Sequence, residues 1–237
     1  MLTTEGTSEM TPHAIVSYDD TDNDRDALML GRTLRDAGAR LTLAYVRHSV
    51  HRCPDDEELS HHDAHALLER GADWLDEPDI PRRVVMNAST GDGLAWLAAA
   101  EQADMIVFGS AYRTRRGHVS IGRSAQTLLE GGASALALAP ADYAAAGERE
   151  IRTVGVLRGT ADEAAIETAY AIADRLDATV LDRDGGVDLL IVGSRPEARP
   201  GRVMLSSRAA NAIEEATSPV LIVGRGVPMR FPTLVIA

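Results

Sequence analysis

Apolar runs of about four to six residues alternate along the chain with longer stretches in which apolar residues keep helical spacing, the pattern of βαβ units on a parallel sheet. Residues 14–18 read as a buried strand. The acidic turn Asp19, Asp20, Thr21, Asp22, Asn23, Asp24 leads into a helix with Ala27, Leu30, Leu34 and Ala37 inward, closed by Gly38. A second strand, 41–46, and a polar loop precede a helix N-capped by Ser60 that turns Ala64, Leu67, Leu68 and Leu75 inward. A short strand at 83–86, a helix from about Asp92 through Leu94, Leu97 and Ala98, and a strand at 105–108 ending at Gly109 come next. A long loop then runs to Gly122, and a helix with Leu128 and Leu129 leads to the strand 135–139. The predicted class is α/β: an open, parallel five-stranded sheet flanked by helices.

The last third repeats this order in shortened form. A constant shift of 84 places ADMIVFGS on VDLLIVGS, Gly117 on Gly201 and strand 135–138 on 219–222. Near the first strand the shift is about 138, with RLTL on ATVL and Leu34 on Ile172. The second copy is therefore 54 residues shorter and lacks the second helix, third strand and third helix. The small-residue stretch ADYAAAGERE separates the copies, giving a complete domain over 1–146 and a truncated, degenerate one over 147–237. About 90 residues bury too little surface to be comfortably stable alone, so the second copy is expected to pack against the first. The last strand of each copy, 135–139 and 220–223, is an apolar edge that needs a partner within the chain or in a second chain.

Composition narrows the chemistry. With 24 Lys+Arg against 36 Asp+Glu the formal charge is −12, which excludes a general nucleic-acid binder living on phosphate contacts. At 45% hydrophobic and 25% charged residues the chain is a folded globular protein. Cys53 is the single cysteine, so no intrachain disulfide or thiolate zinc cage can form, as suits a reducing cytoplasm. No secretory signal begins the sequence, and no apolar run approaches the roughly 20 residues that cross a bilayer. Every basic residue is Arg; without Lys there is no Walker A loop and no Schiff base. GxGxxG, GxSxG and HExxH are missing too.

The stretch GSAYRTRRGHVSIGRS, 109–124, lies between a buried strand and a helix start. Glycines there let backbone N–H groups approach a ligand, and the helix N-terminus adds donors and dipole, so an anion fits. The bland alternative is that Gly109 and Gly122 only turn the chain. These residues resemble the phosphate motif of the universal stress proteins: Gly, two residues, Gly, nine residues, Gly, then Ser or Thr. Tyr112 stands at the second glycine and Arg123 at the hydroxyl residue, with Ser124 next. The YDDTD turn, the GHVSIG stretch and the GASALALAP ending extend the resemblance over nearly the whole chain, and the tandem arrangement is similar to that of actinobacterial members.

The resemblance implies a cytoplasmic stress-response protein, not an enzyme, that binds ATP or AMP, with or without Mg, in its first domain and acts through regulated interactions with a protein partner or a second copy. Base and ribose contacts fall on Asp19 and Val46, and phosphate contacts on Gly109, Ser110, Gly122, Arg123 and Ser124. Asp19 also makes sense from below, since a carboxylate at the end of a central strand faces the crevice where open α/β sheets bind ligands; it could equally help to cap the next helix. Arg123 could grip a phosphate or fill its pocket. The second copy, with Arg158, Pro196 and Ser206 in place of Asp19, Tyr112 and Gly122, is expected not to bind. The alternative function is a nucleotide-free dimerisation or interaction module. An ATP pyrophosphatase would need a Ser/Gly-rich loop where Asp19 and Asp20 stand. Finally, His48, His51, Cys53, His61, His62 and His65 crowd one region, a metal site or a solvated loop among Asp55, Asp56, Glu57 and Glu58.

Overall fold

Among the described residues the apolar runs form nine strands and the helical-period stretches six α-helices. The structure, a computed structural model, describes residues 11–48, 54–131, 134–157 and 162–232, excepting the side chains of 54–62. In chain order they are β1 (His13–Ser17), α1 (Asp22–Asp36), β2 (Arg40–His48), α2 (Pro54–Leu75), β3 (Arg82–Asn87), α3 (Thr90–Glu101), β4 (Met105–Gly109), α4 (Arg123–Gly131) and β5 (Ala135–Ala139), then β6 (Thr153–Val156), α5 (Glu163–Leu176), β7 (Thr179–Leu181), β8 (Leu189–Gly193), α6 (Ser207–Glu215) and β9 (Val220–Val223). Helix α2 starts at Pro54, earlier than the expected Ser60. Proline suits the first helical position, and the acidic run Asp55–Glu58 suits the positive end of the helix dipole, so what reads as a solvated loop is the first helical turns.

All strands share one sheet, in the order β3-β2-β1-β4-β5-β9-β8-β6-β7. Every neighbouring pair is parallel except β5 and β9, which run antiparallel with Ala137 opposite Leu221. Those two residues are 84 apart, so the sequence repeat is a pseudo-two-fold axis through this pair. The five expected strands thus form one half of a nine-stranded sheet, and the last strands pair with each other inside the chain. Each has a neighbour on both sides, which leaves neither free to join another chain.

The shift of about 138 needs correcting. Ala14 lies opposite Met105, and Val154 opposite Leu189, which is Met105 shifted by 84; Ala14 therefore corresponds to Val154, a shift of 140. Between β2 and β7 it is 139, because Ile15 faces Thr42 and Gly155 faces Leu181. One residue matters, since it exchanges the two faces of a strand. Carried past β6, the counterpart of Asp19 falls within 158–161, so Arg158 lies outside the described residues.

One core lies under α1, α2 and α5, the other under α3, α4 and α6, and both run through the two halves of the sheet. Leu28, Leu34, Leu68 and Ile172 fill the first; Leu94, Leu97, Leu128 and Ile213 fill the second. The face left bare by the missing third helix is covered locally. A Cβ on Gly155 would lie 2.5 Å from the Arg183 carbonyl oxygen and 3.0 Å from Val187, so the 182–188 loop packs directly on β6. A buried carboxylate ties α1 to the end of the first half: Asp26, 3% exposed, accepts the N–H groups of Asp142 (2.9 Å) and Ala144 (2.8 Å).

Candidate functional site

Strand β1 has β2 on one side and β4 on the other. The chain leaves β1 toward β2 and β3, and later returns through β4 toward β5, so the carboxyl ends of β1 and β4 flank the point where the strand order reverses. Ligands of open α/β sheets bind at such a point. Asp19 follows β1 and Gly109 ends β4, which brings the two ends of the expected site to one crevice.

Asp19 is exposed as a residue, yet its carboxyl end is partly desolvated among the acidic turn. That desolvation, followed by the charge of Asp24, pushes its pKa above the ordinary value; His48 opposes this and Asp20 adds to it. The surrounding carboxylates are engaged. Asp24 accepts from Thr21 N–H (3.0 Å), Thr21 Oγ1 (2.7 Å) and Asp19 N–H (3.0 Å), which closes the N-terminus of α1 as a capping box. Asp20 accepts from the Tyr18 hydroxyl (2.8 Å) and Arg70 Nε (2.7 Å), and these bonds hold its pKa down. Capping, the bland role for Asp19, belongs to Thr21 and Asp24.

Val46 is buried, 6% exposed, opposite Val85 and beneath Gly93 of α3. Its side chain belongs to the core. Its backbone is another matter: Tyr18 N–H donates to Ala44 C=O, so even-numbered β2 residues turn their polar groups toward β1. Val46 lies two residues further, and it directs its N–H and C=O to the space beyond the end of β1.

The two glycines have different causes. A Cβ on Gly109 would lie 2.7 Å from the carbonyl carbon of Asn23 and nearer still to its oxygen. Packing of α1 on β4 therefore demands this glycine whether or not a ligand is bound, and Asn23 Nδ2 locks the contact by donating to Ser110 C=O (2.9 Å). At Gly122 a Cβ would meet only Ala111, at 3.8 Å, so nothing in the protein demands glycine there. Gly122 C=O accepts from Gln126 N–H, which makes Gly122 the N-cap of α4. With no side chain it leaves the first N–H groups of the helix uncapped.

Ser110 is 3% exposed, and its hydroxyl is committed: it donates to Ala139 C=O (2.7 Å) and accepts from Ser120 N–H (3.1 Å). Only its backbone is left for a ligand. Arg123 is exposed in the first turn of α4 and has no carboxylate partner among the described residues. Ser124 is half-buried, with its carbonyl against Gly91 of α3. Tyr112 is 83% exposed, under the Arg113 guanidinium.

The second half repeats the backbone bonding of this loop at a shift of 84, although the Ser194 hydroxyl donates to Arg195 C=O where that of Ser110 donates to Ala139 C=O. Met204 N–H donates to Ser194 Oγ as Ser120 N–H does to Ser110 Oγ, and Gly201 N–H donates to Arg225 C=O as Gly117 N–H does to Ala141 C=O. The cap differs. Ser206, the counterpart of Gly122, accepts Ala209 N–H on its own hydroxyl (3.1 Å), filling the position that Gly122 leaves open.

Of the histidine cluster, His51 and Cys53 lie outside the described residues, as do the side chains of His61 and His62. His48 ends β2, 3.1 Å from Thr90 Oγ1, and His65 is exposed on α2. Among the described residues no group of three metal-ligating side chains gathers. Nor is any helix among them long and apolar enough to cross a membrane. Sequence reasoning missed Asn23 and Arg70. Asn23 sits within the acidic turn already singled out, whereas nothing local pairs Arg70 with Asp20.

The chain has the α/β fold of the universal stress proteins. It superposes on one from Archaeoglobus fulgidus DSM 4304 with a TM-score of 0.66, at 14% identity over 90% of this chain and 98% of that one. A putative universal stress protein from Pseudomonas aeruginosa UCBPP-PA14 matches with a TM-score of 0.56, at 12% identity over 91% and 94%. A functionally unknown protein from Pseudomonas aeruginosa PAO1 matches at 0.57, with 13% identity over 91% and 93%. No protein-family model matches the sequence, and no curated protein matches it.

Proposed function

We propose that the chain is a stress-response protein of the universal stress type that holds an adenine nucleotide, ATP or AMP, in its first half and acts through regulated interactions, binding the nucleotide without turning it over. One observation carries the reading. Gly122 leaves the N-terminus of α4 uncapped at the mouth of the crevice, with no packing reason to be glycine, where the second half fills the equivalent position with Ser206. Phosphate suits such donors. In this reading Asp19 accepts from the ribose hydroxyls or the adenine amine, Val46 meets the base through its backbone, and Gly109, Ser110 and Ser124 contribute main-chain groups around the phosphates. Arg123 reaches them with a charged fork. Magnesium would come only as a companion of the triphosphate, held by its phosphate oxygens and water.

A nucleotide-free interaction module is the second reading. It is favoured by the equal loop skeletons of the two halves, because the half with a capped helix keeps the same loop. Mass spectrometry of the denatured, purified protein separates the two. Co-purified adenine nucleotide, or a thermal shift with Mg-ATP, supports the first, and neither result supports the second.

A further inference from the structure

Among the described residues the sheet has two open edges, β3 and β7. Strand β7 has three residues, and Thr179 N–H donates to Arg152 C=O, so of the three Val180 alone turns its backbone outward. Strand β3 is different. Leu43 lies opposite Arg82 and donates its N–H to Pro81 C=O, so the odd-numbered β3 residues bond to β2, and Arg82, Val84 and Met86 turn their N–H and C=O groups away from the sheet. Two of the large apolar side chains most open to solvent flank this edge: Met86, 52% exposed, and Trp96, 62% exposed. Gly91, Ala95 and Ala98 face α4, which puts Trp96 on the opposite flank of α3, toward β3.

We propose that β3 is a docking edge for a second copy of this chain, paired antiparallel about Val84. The spare groups set the register. Val84 faces its own counterpart as a hydrogen-bonded pair, and Arg82 of each copy faces Met86 of the other, giving about six backbone hydrogen bonds. This edge is complementary to itself: like charges are not opposed in the hydrogen-bonded pairs, and the thioether of Met86 lies along the aliphatic stem of Arg82. The paired stretch 82–86 contains no proline, and of its two charges Arg83 is tied back to Glu101 of α3. The molecule already closes its other open edges this way, β5 against β9 about Ala137 and Leu221.

The test is the mass of the full chain in solution. Light scattering or sedimentation equilibrium should find a dimer in the wild type. Val84→Pro removes an outward N–H that β2 does not use, as an edge strand tolerates; Met86→Lys puts a charge opposite Arg82. Each should weaken the dimer by at least about tenfold while leaving the far-ultraviolet circular dichroism unchanged, and Met86→Lys decides alone if Val84→Pro misfolds. A wild type that stays monomeric at its highest soluble concentration, or a dimer that survives Met86→Lys undiminished, overturns the proposal.

Discussion

Gly109→Ala separates packing from ligand binding at the end of β4. The new Cβ would lie 2.7 Å from the Asn23 carbonyl carbon, where ordinary contact begins at 3.4 Å. The obstacle is backbone, so no side-chain rotation relieves it; because the Asn23 oxygen lies nearer still than its carbon, the start of α1 must retreat by more than about an ångström. That motion strains the Asn23 bond to Ser110 and loosens Leu28 and Leu30, both buried against the sheet. Overpacking of this kind costs about 2–3 kcal/mol, or a fall in Tm of about 5–10 °C for a chain of this length. Urea unfolding and calorimetric scans of Gly109→Ala beside Gly122→Ala measure it. The second substitution meets only Ala111 and should cost no more than about 1 kcal/mol, as for a lost N-cap. A Gly109→Ala protein as stable as the wild type, with an unchanged urea m-value, would refute the packing argument.

Leu221→Pro, in a strand with neighbours on both sides and 0% exposed, should destabilise the whole chain by about 3 kcal/mol or more, and a native-like unfolding midpoint would count against the continuous sheet. The fragment 147–237 alone should lack a cooperative unfolding transition, since its cores are completed by α1, β4 and β5; a sharp transition with dispersed amide signals would contradict that. His13, 1% exposed and within 2.8 Å of Thr42 Oγ1, has its pKa lowered by burial and then by Arg40. The neutral ring is the stable form, so its contribution is present above the unfolded pKa near 6.5 and is lost as pH falls through the window below it, at up to about 1.4 kcal/mol per pH unit. Unfolding of the wild type and His13→Gln across that window checks the sign: the variant should be flatter, and parallel profiles would refute the assignment. Asp19→Ala should weaken ATP binding by about 1–3 kcal/mol through a lost charge-assisted hydrogen bond, and unchanged affinity by calorimetry would remove Asp19 from the site.

Much of this fold is legible in the sequence because the segment from β4 to β5 recurs in β8 to β9 without insertion, so one shift of 84 carries strands, loop and helix together. Around β1 and β2 the copies keep only their apolar pattern, and because these strands are buried on both faces their sequences show no alternation that would reveal a slip; hence 138 in place of 139 and 140. The start of α2 is hidden because acidic residues serve a loop and a helix N-terminus equally well. At the site, composition and spacing pick out Gly109 and Gly122 alike, yet only the fold distinguishes them, since the first is required by Asn23 and the second by nothing in the protein. The commitment of the Ser110 hydroxyl to Ala139 depends on two segments 29 residues apart, and no local signal announces it.

The central claim is that the uncapped start of α4 holds the phosphates of an adenine nucleotide. Gly122→Ser copies the second half and lets a hydroxyl occupy the N–H groups as Ser206 does, at a gain of only a few tenths of a kcal/mol in stability. Isothermal calorimetry with ATP on the wild type and Gly122→Ser is the direct test. The account predicts saturable binding to the wild type at one site per chain and a large loss of affinity in a variant that remains at least as stable. Equal affinity in the two proteins, or no binding heat in the wild type, would contradict it.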